Sequence, residues 1–260
     1  MTERIKKLRK NSLKAINRIS AERAMLVTEF YKSGIAWEVP APFRRALCFH
    51  YILSNKKICV NDGELIVGER GPSPKATPTY PEICIHSLQD LDILNKRQKV
   101  SFRVDNETRK IYEEVIIPYW TGKSNREKIM QSMTAEWLAA YEAGIFTEFQ
   151  EQRAPGHTVL GDKIYTKGML DIRKDIQTSM DNLDFFNDPA AYQKYEELKA
   201  MGITADAIIH FAFRYEKKLL EMAGNEKDQL KRKELKEMAR ICHHVPAHAP
   251  RTFHEALQYY

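Results

Sequence analysis

Apolar residues Ile5, Leu8, Leu13 and Ile16 recur at roughly helical spacing through a lysine-rich opening, and residues 21–31 carry a second helical pattern that ends near Ser33-Gly34. The chain therefore begins with helices. After breaks at Pro40 and Pro42, residues 44–53 are rich in helix formers and direct Leu47 and Tyr51 toward a core. The period then shortens. Two β-branched runs, 57–60 and 64–68, flank Asn61-Asp62-Gly63, a turn sequence that accepts positive φ, and together they predict a small β-hairpin. Pro72, Pro74, Pro78 and Pro81 then remove backbone donors and predict a long, stiff loop. That loop reads either as a linker or, given the apolar anchors Tyr80, Ile83 and Ile85, as a segment pinned onto the core.

Helical periodicity returns after Ser87. Ser87 with Asp90 and Ser124 with Glu127 form capping boxes that start helices running from Leu88 toward Arg97 and from Asn125 toward Met133. Residues 105–120 also read as helix, with Ile111, Val115 and Ile116 on one side and Pro118 making its end ambiguous. Trp137, Tyr141, Phe146 and Phe149 follow as bulky apolar groups, either packed in the core or walling a dry cavity beside the next segment. Gly161 to Tyr165 and Gly168 predict a loop, and 170–180 a further helix. Asp188-Pro189 has the order of an N-cap and a first-turn proline. Two long stripes, Leu198 to Leu219 and Leu230 to Ile241, predict helices paired antiparallel across Gly224-Asn225. Thr252 and Glu255 make a third capping box, but only Ala256 to Tyr260 follow it. Two turns do not stand alone, so the chain is expected to stop within an element of a larger fold. The fold class is mainly α with a small β-hairpin.

Composition narrows the function. The chain has 260 residues, and its 43% hydrophobic content suffices for a packed core. Its net charge of +6 comes from 41 basic and 35 acidic residues interleaved along stretches such as 227–234, which marks solvated helix faces rather than a nucleic-acid groove. The purely basic run from Arg4 to Lys10 reads as an amphipathic first helix, with phosphate contact as the alternative. No apolar run approaches the ~18 residues of a membrane helix, and no apolar segment follows the charged N-terminus. Cys48, Cys59, Cys84 and Cys242 are scattered without disulfide or zinc spacing, which fits a reducing cytoplasm. Cys242, His243, His244, His248 and His254 concentrate potential ligands. Pro246 and Pro250 interrupt them in no common zinc pattern, so no metal site is expected.

The chemistry-bearing candidate is His157, in Arg153-Ala154-Pro155-Gly156-His157. Proline and glycine together permit a sharp bend that presents the imidazole away from any helix face, which suits a pocket. The alternative is a turn that only ends a helix and leaves His157 bonded to a nearby carbonyl.

Taken together, these segments resemble the glycyl radical enzymes, the superfamily of pyruvate formate-lyase, over most of the chain. Residues 61–69, 78–82, 151–158, 245–248 and 252–258 fall where that family carries similar segments. Residues 78–82, 137–144 and the turn at His157 look most like the branch that removes water from trans-4-hydroxy-L-proline to give 1-pyrroline-5-carboxylate. The resemblance implies a ten-stranded α/β barrel wrapped by helices, of which residues 1–260 would be the N-terminal helical part, the barrel incomplete and the chain truncated within a helix. It further implies a C-terminal glycyl radical, installed by an S-adenosylmethionine iron-sulfur activating enzyme, that acts through a mid-chain cysteine. No cofactor would be bound. Substrate and activating enzyme would be the partners, and a homodimer is allowed. None of the four cysteines matches the family's catalytic loop, and no glycine lies in its radical motif, so the isolated chain is expected to be inactive. His157 matches a pocket histidine and would help the substrate hydroxyl leave as water. Arg153 would orient a carboxylate or form a structural ion pair. Other lyases of the superfamily (choline trimethylamine-lyase, propanediol or glycerol dehydratase, formate acetyltransferase) and a non-catalytic helical interaction protein are the competing readings.

Overall fold

The computed structural model describes residues 1–146 and 160–260. The first layer comprises α1 (Glu3–Lys14), β1 (Arg18–Ser20), α2 (Glu22–Lys32), α3 (Ile35–Glu38) and α4 (Ala41–Asn55). After β2 (Ala76–Pro78) come α5 (Leu88–Lys96), α6 (Asn106–Ile111) and α7 (Ile117–Trp120), the last two joined through a π-helical turn at Tyr112–Ile116. Short helices α8 (Asn125–Gln131) and α9 (Ala135–Glu142) follow. The second half holds a 3-10 turn at Gly161–Tyr165, then α10 (Met169–Asp181), α11 (Ala191–Asn225), α12 (Gln229–His244) and α13 (Phe253–Tyr259).

Three apolar clusters hold these elements. The first joins α2, α4, α5 and the π-turn through Ala24, Val27, Phe30, Ile52, Leu91, Tyr112, Ile116 and Trp120. Its buried polar groups are paired: the Trp120 indole donates to Thr28 Oγ1 at 2.8 Å and the Tyr112 hydroxyl to Thr79 Oγ1 at 2.6 Å. The second forms where α11 and α12 pair antiparallel, through Tyr215, Leu219, Leu235, Met238 and Cys242, with Val67 sealing one side. A third, smaller one joins α10 to α11 through Met169, Ala205 and Ile209. Between the first and second clusters, Arg214 of α11 donates to the carbonyls of Leu53 and Lys56 at the end of α4. A guanidinium there satisfies acceptors that the helix leaves open and complements the negative end of its dipole.

The π-turn is a local widening. The Ile117 N–H donates to the Tyr112 carbonyl, five residues back, just before Pro118, which has no N–H to give. Thr108, Tyr112, Ile116 and Trp120 all lie on the buried side of this composite helix.

The predicted helices and the boxes at Ser87 and Ser124 form, each with both reciprocal hydrogen bonds. Other expectations change. No hairpin joins 57–60 to 64–68: Asp62-Gly63 turns, but the backbone of Val67 pairs with the Gln258 amide at 2.8 Å in both directions, and the Leu65 carbonyl pairs with His254. Side chains of α13 thus take the hydrogen bonds a partner strand would have supplied. The small sheet lies elsewhere, as β1 parallel to β2 in register Arg18↔Ala76, Ile19↔Thr77, Ser20↔Pro78. The proline-rich loop is therefore pinned on the core rather than a linker. Asp188 accepts from the Ala190 N–H, but α11 begins only after Ala190, so Asp188-Pro189 belongs to the preceding turn.

The third box forms by half. Thr252 Oγ1 accepts from the Glu255 N–H at 3.2 Å, but the Glu255 carboxylate does not return to its cap. It is fully buried, and its oxygens accept from the Arg251 N–H at 2.7 Å, the Arg251 guanidinium at 2.9 Å and Arg240 Nη1 at 3.1 Å. The Arg251 hydrogen bond outweighs burial, and with Arg240 it holds the carboxyl down from 4.5 to about 2. Because the folded value is the lower one, this stabilisation is complete above about pH 4.5 and is lost as pH falls through about 2. Glu255→Gln, which keeps the shape and removes the charge, is expected to lower the unfolding free energy by about 1–3 kcal/mol in urea titrations at neutral pH. The difference from wild type should shrink on acidification; a constant difference down to the lowest pH would show that the charge contributes nothing.

Candidate active site

Pro78-Thr79-Tyr80-Pro81-Glu82 is held by one side chain, Arg23 of α2. Its guanidinium donates to the Thr79 carbonyl at 3.1 Å and to both oxygens of Glu82, and it lies 3.9 Å from the centre of the Tyr80 ring. A planar fork suits this combination of a carboxylate, a carbonyl and a ring face. The following carbonyls, of Glu82 and Ile83, accept from the Asn125 and Arg126 N–H groups at 2.9 Å and so hold the first turn of α8. The segment forms one wall of a cleft of about 1000 Å³ whose other walls come from α2, α4 and residues 119–128. Cys48 lies buried in the cleft wall, and burial pushes its thiol up to about 12, so it is not a thiolate at neutral pH.

The segments at 61–69 and 252–258 meet each other. Gln258 and His254 read the backbone at Val67 and Leu65, and Asn61 Nδ2 donates to Glu64 and Glu69. The histidines do not converge. His243 Nδ1 faces Glu216, His244 Nε2 faces the Ala249 carbonyl, and His244 stacks on His248 with ring centres 5.1 Å apart. Cys242 is buried in the second core with its thiol pushed up to about 12. Among the described residues, no group of three or more such side chains is placed to hold a metal ion.

His157 and Arg153, like Phe149, lie outside the described residues; what precedes and follows them is described. On the entry side, α9 ends with Gly144 at φ +72° and the Ile145 N–H donating to the Ala140 carbonyl at 3.1 Å, a left-handed glycine stop. Trp137 stacks on Tyr141 at 5.5 Å and meets Phe146 at 4.9 Å. This trio is not core, since α9 has no buried residue; it is a half-exposed aromatic face. On the exit side, the turn at 245–248 offers the carbonyls of Pro246 and Ala247 to the Met169 and Leu170 N–H groups, at 2.8 and 3.0 Å. Gly168 fits beneath that turn because it has no side chain: a Cβ there would lie 2.3 Å from the Ala247 oxygen. Beyond residues 147–159 the chain is thus clamped at Gly168–Leu170, and before them α9 ends in a glycine stop. Sequence reasoning singled out the turn at 245–248 and Gly168 separately; it missed Arg23, whose only signal was an arginine facing an acidic motif 59 positions later.

The sequence matches the pyruvate formate lyase-like family across residues 1–260. The chain belongs to that family. It is 52% identical over 258 residues to trans-4-hydroxy-L-proline dehydratase of Clostridioides difficile, covering 99% of this chain and 33% of the relative. The crystal structure of the hydroxyproline dehydratase from C. difficile with trans-4-hydroxy-L-proline bound superposes with a TM-score of 0.94 at 51% identity, over 100% of this chain and 33% of that one. A glycyl radical enzyme from Archaeoglobus fulgidus superposes with a TM-score of 0.84 at 30% identity, over 99% of this chain and 33% of its own. The chain therefore spans about a third of the length of the relatives it matches. Among the described residues, no helix is long and apolar enough to cross a membrane.

Gly168→Ala tests the exit clamp. The added methyl meets backbone on three atoms, so the turn must shift, at an expected cost of about 1–3 kcal/mol. Hydrogen exchange at the Met169 and Leu170 amides should accelerate more than exchange in α12. Unchanged protection at both amides would remove the clamp.

Proposed function

We propose that the chain is the helical N-terminal part of a glycyl radical dehydratase that removes water from trans-4-hydroxy-L-proline to give 1-pyrroline-5-carboxylate. The observation that carries this reading is the 52% identity across nearly the whole chain to a dehydratase of that specificity, against 29% to the (2S)-3-sulfopropanediol dehydratase of Klebsiella oxytoca. The radical chemistry belongs to residues outside these 260. A glycyl radical, installed by an S-adenosylmethionine iron-sulfur activating enzyme in the cytoplasm, would supply, through a cysteine thiyl radical, abstraction of a hydrogen atom from the substrate carbon beside the hydroxyl-bearing one and its return to the product.

This chain contributes the departure of the hydroxyl. His157 hydrogen-bonds the substrate oxygen; as the C–O bond breaks, a ring N–H proton passes to that oxygen and water leaves, and the proton the substrate then gives up restores the histidine. Hydroxide is a poor leaving group, and a positioned proton donor contributes about 10² to 10⁴ in rate. Support for this reading comes from the 52% identity to the dehydratase and from the clamp at Gly168, which ties the chain after the bend to the turn at 245–248.

The test is a complete enzyme in which these residues replace the matching third of the C. difficile dehydratase. It should dehydrate trans-4-hydroxy-L-proline, and His157→Ala should lower turnover by about 10² to 10⁴ while the glycyl signal in electron paramagnetic resonance keeps its intensity. Wild-type turnover by the variant would dismiss His157, and no turnover by the parent chimera despite a full radical signal would dismiss the substrate. The 260 residues alone should show neither turnover nor a radical signal.

A further inference from the structure

The cleft between α2, α4 and the 78–83 segment has an unbalanced charge. Besides Arg23, its lining carries Arg44, Arg45, Lys56, Arg70, Lys123 and Lys128, against the carboxylates of Glu22 and Glu82. Glu82 is already neutralised by Arg23. Glu22 accepts from the Lys57 N–H, at 2.8 Å. Among the described residues none of those six cations forms an ion pair. Lys56 donates to the Glu69 and Arg70 carbonyls, Lys123 lies over the Tyr119 ring, and Arg44 meets the Ala36 carbonyl and the Trp37 ring, whereas the side chains of Arg45, Arg70 and Lys128 are exposed and make no hydrogen bond or ion pair among the described residues.

Apolar surface separates the charges. Trp37 is 60% exposed, Tyr80 46%, Ile83 42% and Phe49 37%, all on the same cleft. Cations that outnumber the carboxylates beside them raise a positive potential in the cleft and attract anions, while exposed aromatic and aliphatic surface of this extent marks a contact site. The two features together select the ligand class. A compact polyanion such as a nucleotide calls for cations that converge on one point, with backbone N–H groups forming a nest. Here the cations are spread along walls at the upper end of the ~300–1,000 Å³ range of small-molecule sites. The one glycine in the lining, Gly71, packs its α-carbon against the Ala76 backbone and side chain. Distributed cations alternating with aromatic faces match an extended chain with carboxylates and apolar side chains in turn.

We propose that this cleft is a docking groove for an acidic polypeptide segment with apolar side chains between its carboxylates, supplied by the two thirds of the dehydratase that this chain does not span. The source of the segment rests on the function proposed above; the chemistry of the groove does not. The net charge of +6 on these residues has the sign such an arrangement needs. Charge pairing steers the segment and sets its register, and the desolvated apolar contacts hold it.

The test uses the 260-residue chain and a fluorescein-labelled peptide of alternating glutamate and leucine, titrated by fluorescence anisotropy. Binding should weaken about tenfold or more when salt rises from about 0.05 to about 0.5 M, and by at least as much in the Arg45→Glu/Lys128→Glu double variant. The glutamine version of the peptide should not bind. Circular dichroism and urea midpoints check that the variant folds, and Arg45→Gln/Lys128→Gln gives a milder loss in the same direction. Equal binding of the glutamine peptide, or unchanged affinity in both folded variants, would overturn the groove. So would inorganic tripolyphosphate binding the cleft where the acidic peptide does not. If the peptide fails while the complete chimera dehydrates hydroxyproline, the groove is wrong and the function stands. If the peptide binds while the chimera is inactive with a full radical signal, the dehydratase is overturned as the segment's source.

Discussion

A buried carboxylate with a complete set of donors is the constraint on which the C-terminal half depends. Moving Glu255 out of water costs several kcal/mol unless its oxygens are fully coordinated, and the donors that coordinate it come from α12 and from the turn before α13. The orientation of α13 follows from that requirement. Once α13 is set, Gln258 and His254 reach the backbone at Val67 and Leu65, and Val67 closes the α11–α12 core. The preceding turn lends its carbonyls to α10. One ionised group thus couples three segments far apart in sequence.

The parts of this fold that were legible in the sequence are those whose determinants are local. Ser87 and Ser124 announce their helices because the capping partner lies three residues away, and the stripes of α11 and α12 announce theirs by period alone. The segments that misled are those satisfied from a distance. Residues 57–68 have the composition of a hairpin, yet the backbone partners of Leu65 and Val67 are side chains 189 and 191 positions later, which no local pattern encodes. Thr252-Glu255 has the spacing of a capping box, but two arginines compete for the carboxylate and win. Trp137, Tyr141 and Phe146 have the composition of a core and stand half-exposed, because bulk does not reveal what an element faces.

Several family-like segments therefore serve as fasteners. Those at 61–69, 78–82, 245–248 and 252–258 fasten one element to another: Arg23 grips the second, and the fourth grips the first. The segment at 151–158 lies outside the described residues.

The π-turn before Pro118 has a consequence for helical phase. Thr108, Tyr112, Ile116 and Trp120 repeat every four residues, and on an α-helix of 3.6 residues per turn each such step overshoots by about 40°, so the fourth side chain would have rotated well away from the first. All four are nonetheless buried. The wider turn between Tyr112 and Ile117 winds less per residue and takes back the accumulated rotation. The π-turn thus absorbs one extra residue without turning Trp120 away from Thr28, so the irregularity is what keeps the two ends of this element in step.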